Sequence, residues 1–165
     1  MSYDLSKPLV IGISSRALFN LEQENKIFEE QGVEAYEAYQ VTHENEILQK
    51  GAAFQLIKAF LKLNNTGLGR LVEVIIMSRN NANTCLRIFN SIQYYGLDIT
   101  RATLTSGAEI APYLKAFKTD LFLSANSVDV QSAINDGIAA GLILTGAAHA
   151  DAKQKIDQIR IAFDG

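Results

Sequence analysis

Six short runs rich in Val, Ile and Leu punctuate the chain, and the first of them does not alternate apolar with polar residues. "PLVIGIS" (8–14) is the first, followed by "LVEVIIMS" (71–78), "RATLTS" (101–106), "DLFLSAN" (120–126), "GLILTG" (141–146) and "IRIAFDG" (159–165). A strand that is apolar throughout must be covered on both faces, as strands of parallel sheets are. The stretches between the runs have helical period. Strands alternating with helices imply β-α-β units with right-handed crossovers, and hence an α/β fold with a doubly wound, mostly parallel sheet of Rossmann type.

The helical stretches have readable ends. "NLEQENKIFEEQG" opens at Asn20 as N-cap, with Gln23 three residues on, and closes at Gly32. Glu22 and Lys26 are spaced for an i,i+4 pair on its exposed face. "VEAYEAYQVTHE" sets Val33, Tyr36 and Tyr39 on one side, and "AFQLIKAFLKL" does the same with Phe54, Ile57 and Leu61. "NANTCLRIFNSIQYYG" aligns Cys85, Phe89 and Ile92 and stops at Gly96. Shorter helices are predicted over 108–117 and 127–136. The extra helical segments between the first two strands, residues 20–63, read as an inserted cap. "GAAHADAK" (146–153) has a linker's composition, which divides the chain into a domain over 1–150 and a linker with one further strand over 151–165.

Composition narrows the partners. The 165 residues carry a net charge of −3, with no basic footprint for nucleic acid or an anionic membrane. No apolar run approaches the roughly 20 residues that cross a bilayer. The start has no signal-peptide pattern, and a lone cysteine, Cys85, suits a reducing compartment. The expectation is a soluble cytoplasmic protein whose partner is a small metabolite or another protein.

Every apolar run ends in small polar residues: Ser14-Ser15-Arg16, Ser78-Arg79-Asn80, Thr105-Ser106, Ser124-Ala125-Asn126, Thr145-Gly146 and Asp164-Gly165. In a parallel sheet these tips share the carboxyl edge, where open α/β sheets bind ligands. Hydroxyls, amides and helix N-termini there suit an anion such as phosphate. Helix capping and tight turns explain any single tip equally well; six together point to a ligand edge without naming the ligand. No GxGxxG or GxxxxGK occurs, and "HENE" (43–46) lacks the HExxH zinc spacing. His43 reads as a surface residue near a helix end, Cys85 as core packing, and the tyrosines as packing. Asp164, a carboxylate at a strand tip before glycine, has the placement of a nucleophile that attacks phosphorus. Such chemistry needs Mg²⁺ and a second acid. From the residues alone a turn explains Asp164 as well.

Several stretches together resemble one family: "ISSRALFNLEQENKIFEEQGVEAYEAYQ", "HENE", "MSRNNANTCLRIFNSIQYYGLDITRA", "YLKAFKTDLFLSAN", "GIAAGLI" and "RIAFDG". They are similar to the cytosolic 5′-nucleotidases of type I, Mg²⁺-dependent relatives of the haloacid-dehalogenase-like phosphatases that hydrolyse nucleoside 5′-monophosphates such as AMP. The resemblance implies that "AFDG" begins a catalytic Asp-Gly-Asp, with Asp164 as the phosphorylated nucleophile and a metal ligand. On it, the chain is the first half of a nucleotidase cut within that motif, and inactive alone. Residues 9–146 would be a degenerate copy of the same fold. Ser14, Ser15 and Arg16 stand where an active copy presents two aspartates. Ser78, with Arg79 and Asn80 beside it, matches the phosphate-holding hydroxyl tip. Ser124 and Asn126 stand where acidic metal ligands belong, and Lys115 or Lys118 fills the lysine role. Such a copy would bind Mg²⁺ poorly. The alternative is a non-catalytic module that binds nucleotide or builds a homo-oligomer.

Overall fold

The computed structural model describes residues 7–145. Five parallel strands form one sheet: β1 (Leu9–Ser14), β2 (Val72–Ser78), β3 (Arg101–Leu104), β4 (Leu121–Ser124) and β5 (Ala139–Leu142), in the order β3-β2-β1-β4-β5. The register is continuous, with Ile13 beside Ile76 on one side and Leu123 on the other. The first four predicted strands therefore hold to within two residues at each end. The fifth starts earlier and stops sooner than 141–146, and the sixth lies outside the described residues, as do the linker-like stretch from Gly146 onward and Asp164.

Both faces of the central strands β1, β2 and β4 are covered, which is why these read as largely apolar, while the edge strands β3 and β5 are partly exposed. Ile11, Ile13, Val72, Val74 and Ile76 point into one core, packed by α4 (Phe54–Lys62) and α5 (Leu86–Tyr94) through Phe54, Ile57, Ile88 and Ile92. Ile75, Met77 and Phe122 point the other way, against α6 (Ala111–Ala116) and α7 (Ser127–Asn135) through Leu114 and Ala133. Each such side chain, fully buried, contributes about 1.5–3 kcal/mol of transfer free energy. Gly12 lies in the second core, where a Cβ would come within 3.2 Å of both Met77 and Phe122. The glycine lets α6 approach β1.

The segment expected as a cap divides in two. A one-turn helix, α1 (Ser15–Leu18), leaves β1 directly. Then α2 (Glu22–Gln31) and α3 (Val33–Thr42) form a hairpin joined at Gly32, whose φ of 85° is open to glycine without strain. This pair lies over the strand tips. α4, by contrast, is an ordinary crossover helix with Phe54, Ile57 and Leu61 buried as the pattern predicted. Between them the chain returns to α1: Gly51 N donates to Leu18 O at 2.9 Å, and Phe19 bridges Lys50.

Three local expectations change. Asn20 is not the N-cap of α2; Leu21 holds that position, and Asn20 Oδ1 takes the Glu22 amide at 3.2 Å in a turn one residue earlier. Glu22 faces Arg16 at 3.4 Å rather than Lys26, which pairs with Glu30. On α5, Cys85, Ile88 and Ile92 form the buried stripe, while Phe89, about 100° round the helix from Ile88, lies at its edge and is 39% exposed.

Candidate functional site

The strand order reverses between β1 and β4, since the chain runs outward through β2 and β3 and then crosses back. Helices on either side of that point leave towards opposite faces, and a crevice opens outside the carboxyl ends. Here the crevice is a cleft of about 660 Å³, floored by the tips of β1, β2 and β4 and walled by the α2–α3 hairpin. The structure thus brings together Ser14, Ser15, Arg16, Ser78, Arg79, Asn80, Ser124 and Asn126 from three strand ends. Lys115 and Lys118 are not among them. α6 runs antiparallel to the strands, so its last turn and the residue that follows lie towards the amino edge, and Lys115 is paired with Asp136 at 3.2 Å. Neither lysine reaches the cleft.

The floor is a hydroxyl network. Ser14 Oγ accepts from the amides of Ala17 and Ala125, at 3.3 and 3.2 Å, so the tip of β1 is tied to the tip of β4. Ser15 Oγ and Ser78 Oγ are 3.3 Å apart and both buried. Ser78 Oγ takes the Asn80 amide, and Ser124 Oγ the Asn126 amide. Asn126 Oδ1 caps α7 through the amides of Val128 and Asp129. The capping roles anticipated for single tips are therefore present, inside a cleft that the tips share.

The wall supplies what the strand-tip pattern did not show. Tyr36 donates its hydroxyl to Asn80 Oδ1 at 3.0 Å and receives Gln40 Nε2 at 3.1 Å. Burial pushes the Tyr36 phenol up from its ordinary value, and the bonds to Gln40 and Asn80 pull partly back. Phe28 meets Tyr36 edge-on with ring centroids 6.0 Å apart, and Val33 extends this apolar side. Tyr36 is thus a cleft residue rather than packing alone. Cys85, behind Asn80, is 1% exposed, and burial pushes its thiol up to about 12 while Asn80 works the other way. It is an inert core group, not a thiolate nucleophile.

Charge is present but paired. Arg79 forks onto Asp129, with Nε 3.1 Å from Oδ1, and also donates to Gly107 O. Glu24 is buried against Arg87 at 2.5 Å, and Arg87 Nε reaches Glu46 O at 2.9 Å. That contact places "HENE": the turn docks on α5, with the His43 ring stacked on Tyr39. Glu37 accepts from Asn81 Nδ2. Neither Arg79–Asp129 nor Glu24–Arg87 has a sequence signal, because the partners lie 50 and 63 residues apart.

The donor set does not fit Mg²⁺. A small hard cation is held by carboxylates with water or phosphate, and the floor offers hydroxyls and an amide. The carboxylates that line the cleft are Glu24, Glu37 and Asp129, each engaged as above. Among the described residues no group of three or more His, Cys, Asp or Glu is placed to hold a metal. No step of a reaction can be derived through a metal at these tips.

Comparison with known proteins accounts for the whole length. The family model for 5′-nucleotidases matches residues 1–165. Human cytosolic 5′-nucleotidase 1B is 41% identical over 164 residues, a match covering 95% of this chain and 26% of that protein. The chain spans about a quarter of the length of that relative.

Proposed function

The chain belongs to the 5′-nucleotidase family, and on that premise we propose that the whole protein hydrolyses nucleoside 5′-monophosphates in the cytoplasm, with the described domain as its non-catalytic part. The observation that supports this division of labour is the donor set at the carboxyl edge. Three neighbouring tips carry buried or half-buried serine hydroxyls where a phosphoryl-transfer site needs carboxylates. The reaction then belongs to Asp164. Its carboxylate oxygen attacks phosphorus, the P–O bond to the nucleoside breaks, the departing 5′-oxygen takes a proton from a second acid, and water cleaves the acyl phosphate to release phosphate. Mg²⁺ is part of the proposal as the charge that offsets the phosphoryl oxygens, with Asp164 as one ligand. The cytosolic name of the human relative and the single cysteine support the compartment.

The test is phosphate release from AMP by the full-length protein, with and without Mg²⁺. Turnover that needs Mg²⁺ and falls by at least about 10³-fold in Asp164→Asn is the expected result. Turnover that survives in Asp164→Asn overturns the assignment. The other reading, a module that binds nucleotide or joins copies without chemistry, predicts no phosphate release at all.

A further inference from the structure

Positive charge free of a carboxylate partner would strengthen an anion site at the strand tips, and the cleft has little. Two arginines and three carboxylates line it. Arg79 is committed to Asp129 and Gly107 O, and Arg16 faces Glu22 at 3.4 Å. An entering phosphate would meet a lining with more acid than base and would have to displace Glu22. Hydrogen-bond donors that carry no charge are more available. The oxygens of Ser14, Ser78 and Ser124 already accept backbone amides, and Ser78 shares a further bond with Ser15, so the half-buried Ser14 has the hydroxyl proton most free to offer. On the wall, Phe28 is 47% exposed beside the edge of Tyr36, with Val33 also exposed. A large ring left half in water at the mouth of a cleft is an unused stacking surface.

We propose that this cleft binds an uncharged nucleoside, with the base against Phe28 and the sugar hydroxyls at the serine tips. The volume of about 660 Å³ lies within the about 300–1,000 Å³ of small-ligand pockets. Base-on-aromatic stacking contributes without charge, and a serine hydroxyl can donate to a ribose oxygen as well as accept from it. The inference rests on the cleft being a ligand site and not on the hydrolysis proposed above. A nucleoside is also the product of that hydrolysis, which would make this domain a place where product is sensed.

The experiment is calorimetric titration of the 165-residue chain with adenosine, uridine, AMP and inorganic phosphate. Adenosine is expected to bind more tightly than AMP, inorganic phosphate not to bind, and adenosine affinity to change by less than about twofold between low and high salt, since no ion pair forms. Phe28→Ala should weaken adenosine by about tenfold, Phe28→Tyr should restore it, and circular dichroism should show both variants folded. Glu22→Gln, which releases Arg16, should tighten AMP and leave adenosine unchanged. AMP or phosphate binding ahead of adenosine, with a steep salt dependence, would keep a ligand site and remove the nucleoside. Silence from all four compounds, or indifference to Phe28→Ala, would overturn the proposal.

Discussion

At Cys85 the fold holds a thiol in its neutral form. The folded value of about 12 lies above the ordinary 9.0, so its contribution to stability is complete below pH 9 and is lost as the pH rises towards 12. Chemical denaturation between pH 8 and pH 11 should show a steeper loss in the parent chain than in Cys85→Ala, and thiol reagents should label the native chain far more slowly than the unfolded one. The sequence could suggest that Cys85 is buried, because it sits in an apolar helical stripe. It could not suggest the Asn80 contact or the ion pair near by. Glu24 and Arg87 are both under 10% exposed at the side chain. Removing one of them strands the other, and Arg87→Met should cost about 3–5 kcal/mol in urea denaturation. The double change Glu24→Leu with Arg87→Met should recover much of that loss, since two apolar side chains leave no buried charge behind.

Among the elements, the return of the chain at Gly51 is the tightest contact. A Cβ there would sit 2.7 Å from Ala17 O and 2.8 Å from the carbonyl carbon of Leu18, both backbone atoms of a buried turn. Gly51→Ala should therefore lower stability by about 1–3 kcal/mol or more, measured as a shift in urea midpoint. Gly32 has the opposite problem. Space is open around it, but its φ of 85° strains any side chain. With ψ near −176° this is a region that only glycine adopts readily, so Gly32→Asn and Gly32→Val should both lower stability in the same measurement, by about 1–3 kcal/mol. Helices and strands were legible from period and apolarity because each buries one stripe or two faces. The cap hairpin and the crossover helix were merged in the sequence reading because both have helical period. What separates them is what they cover: α4 buries Phe54, Ile57 and Leu61 on the sheet, whereas α3 buries only Gln40.

For the molecule as a whole, the sequence indicated that several polar strand tips would share one edge, but not the character of the cleft they form there. Serines at the tips of β1, β2 and β4 could be counted in the chain. That the arginines beside them are neutralised could not, because Arg79 finds Asp129 on a helix 50 residues away. Lys115 and Lys118 were misjudged for a related reason: nothing local tells which edge of the sheet a helix end approaches. The same long separations also govern kinetics. β1 is the middle of the sheet, yet Leu9 pairs with Val72 and Ile11 with Leu121. During synthesis the central strand emerges first and waits for neighbours that are made 63 and 110 residues later. Closing loops of that length before any sheet contact is rewarded slows folding, and it leaves an apolar, unpaired strand exposed meanwhile. Refolding should be slow beside a helical bundle of equal size, and substitutions in β1 should slow it more than substitutions in β5. On the ribosome, the strand that organises the sheet is the one most in need of protection.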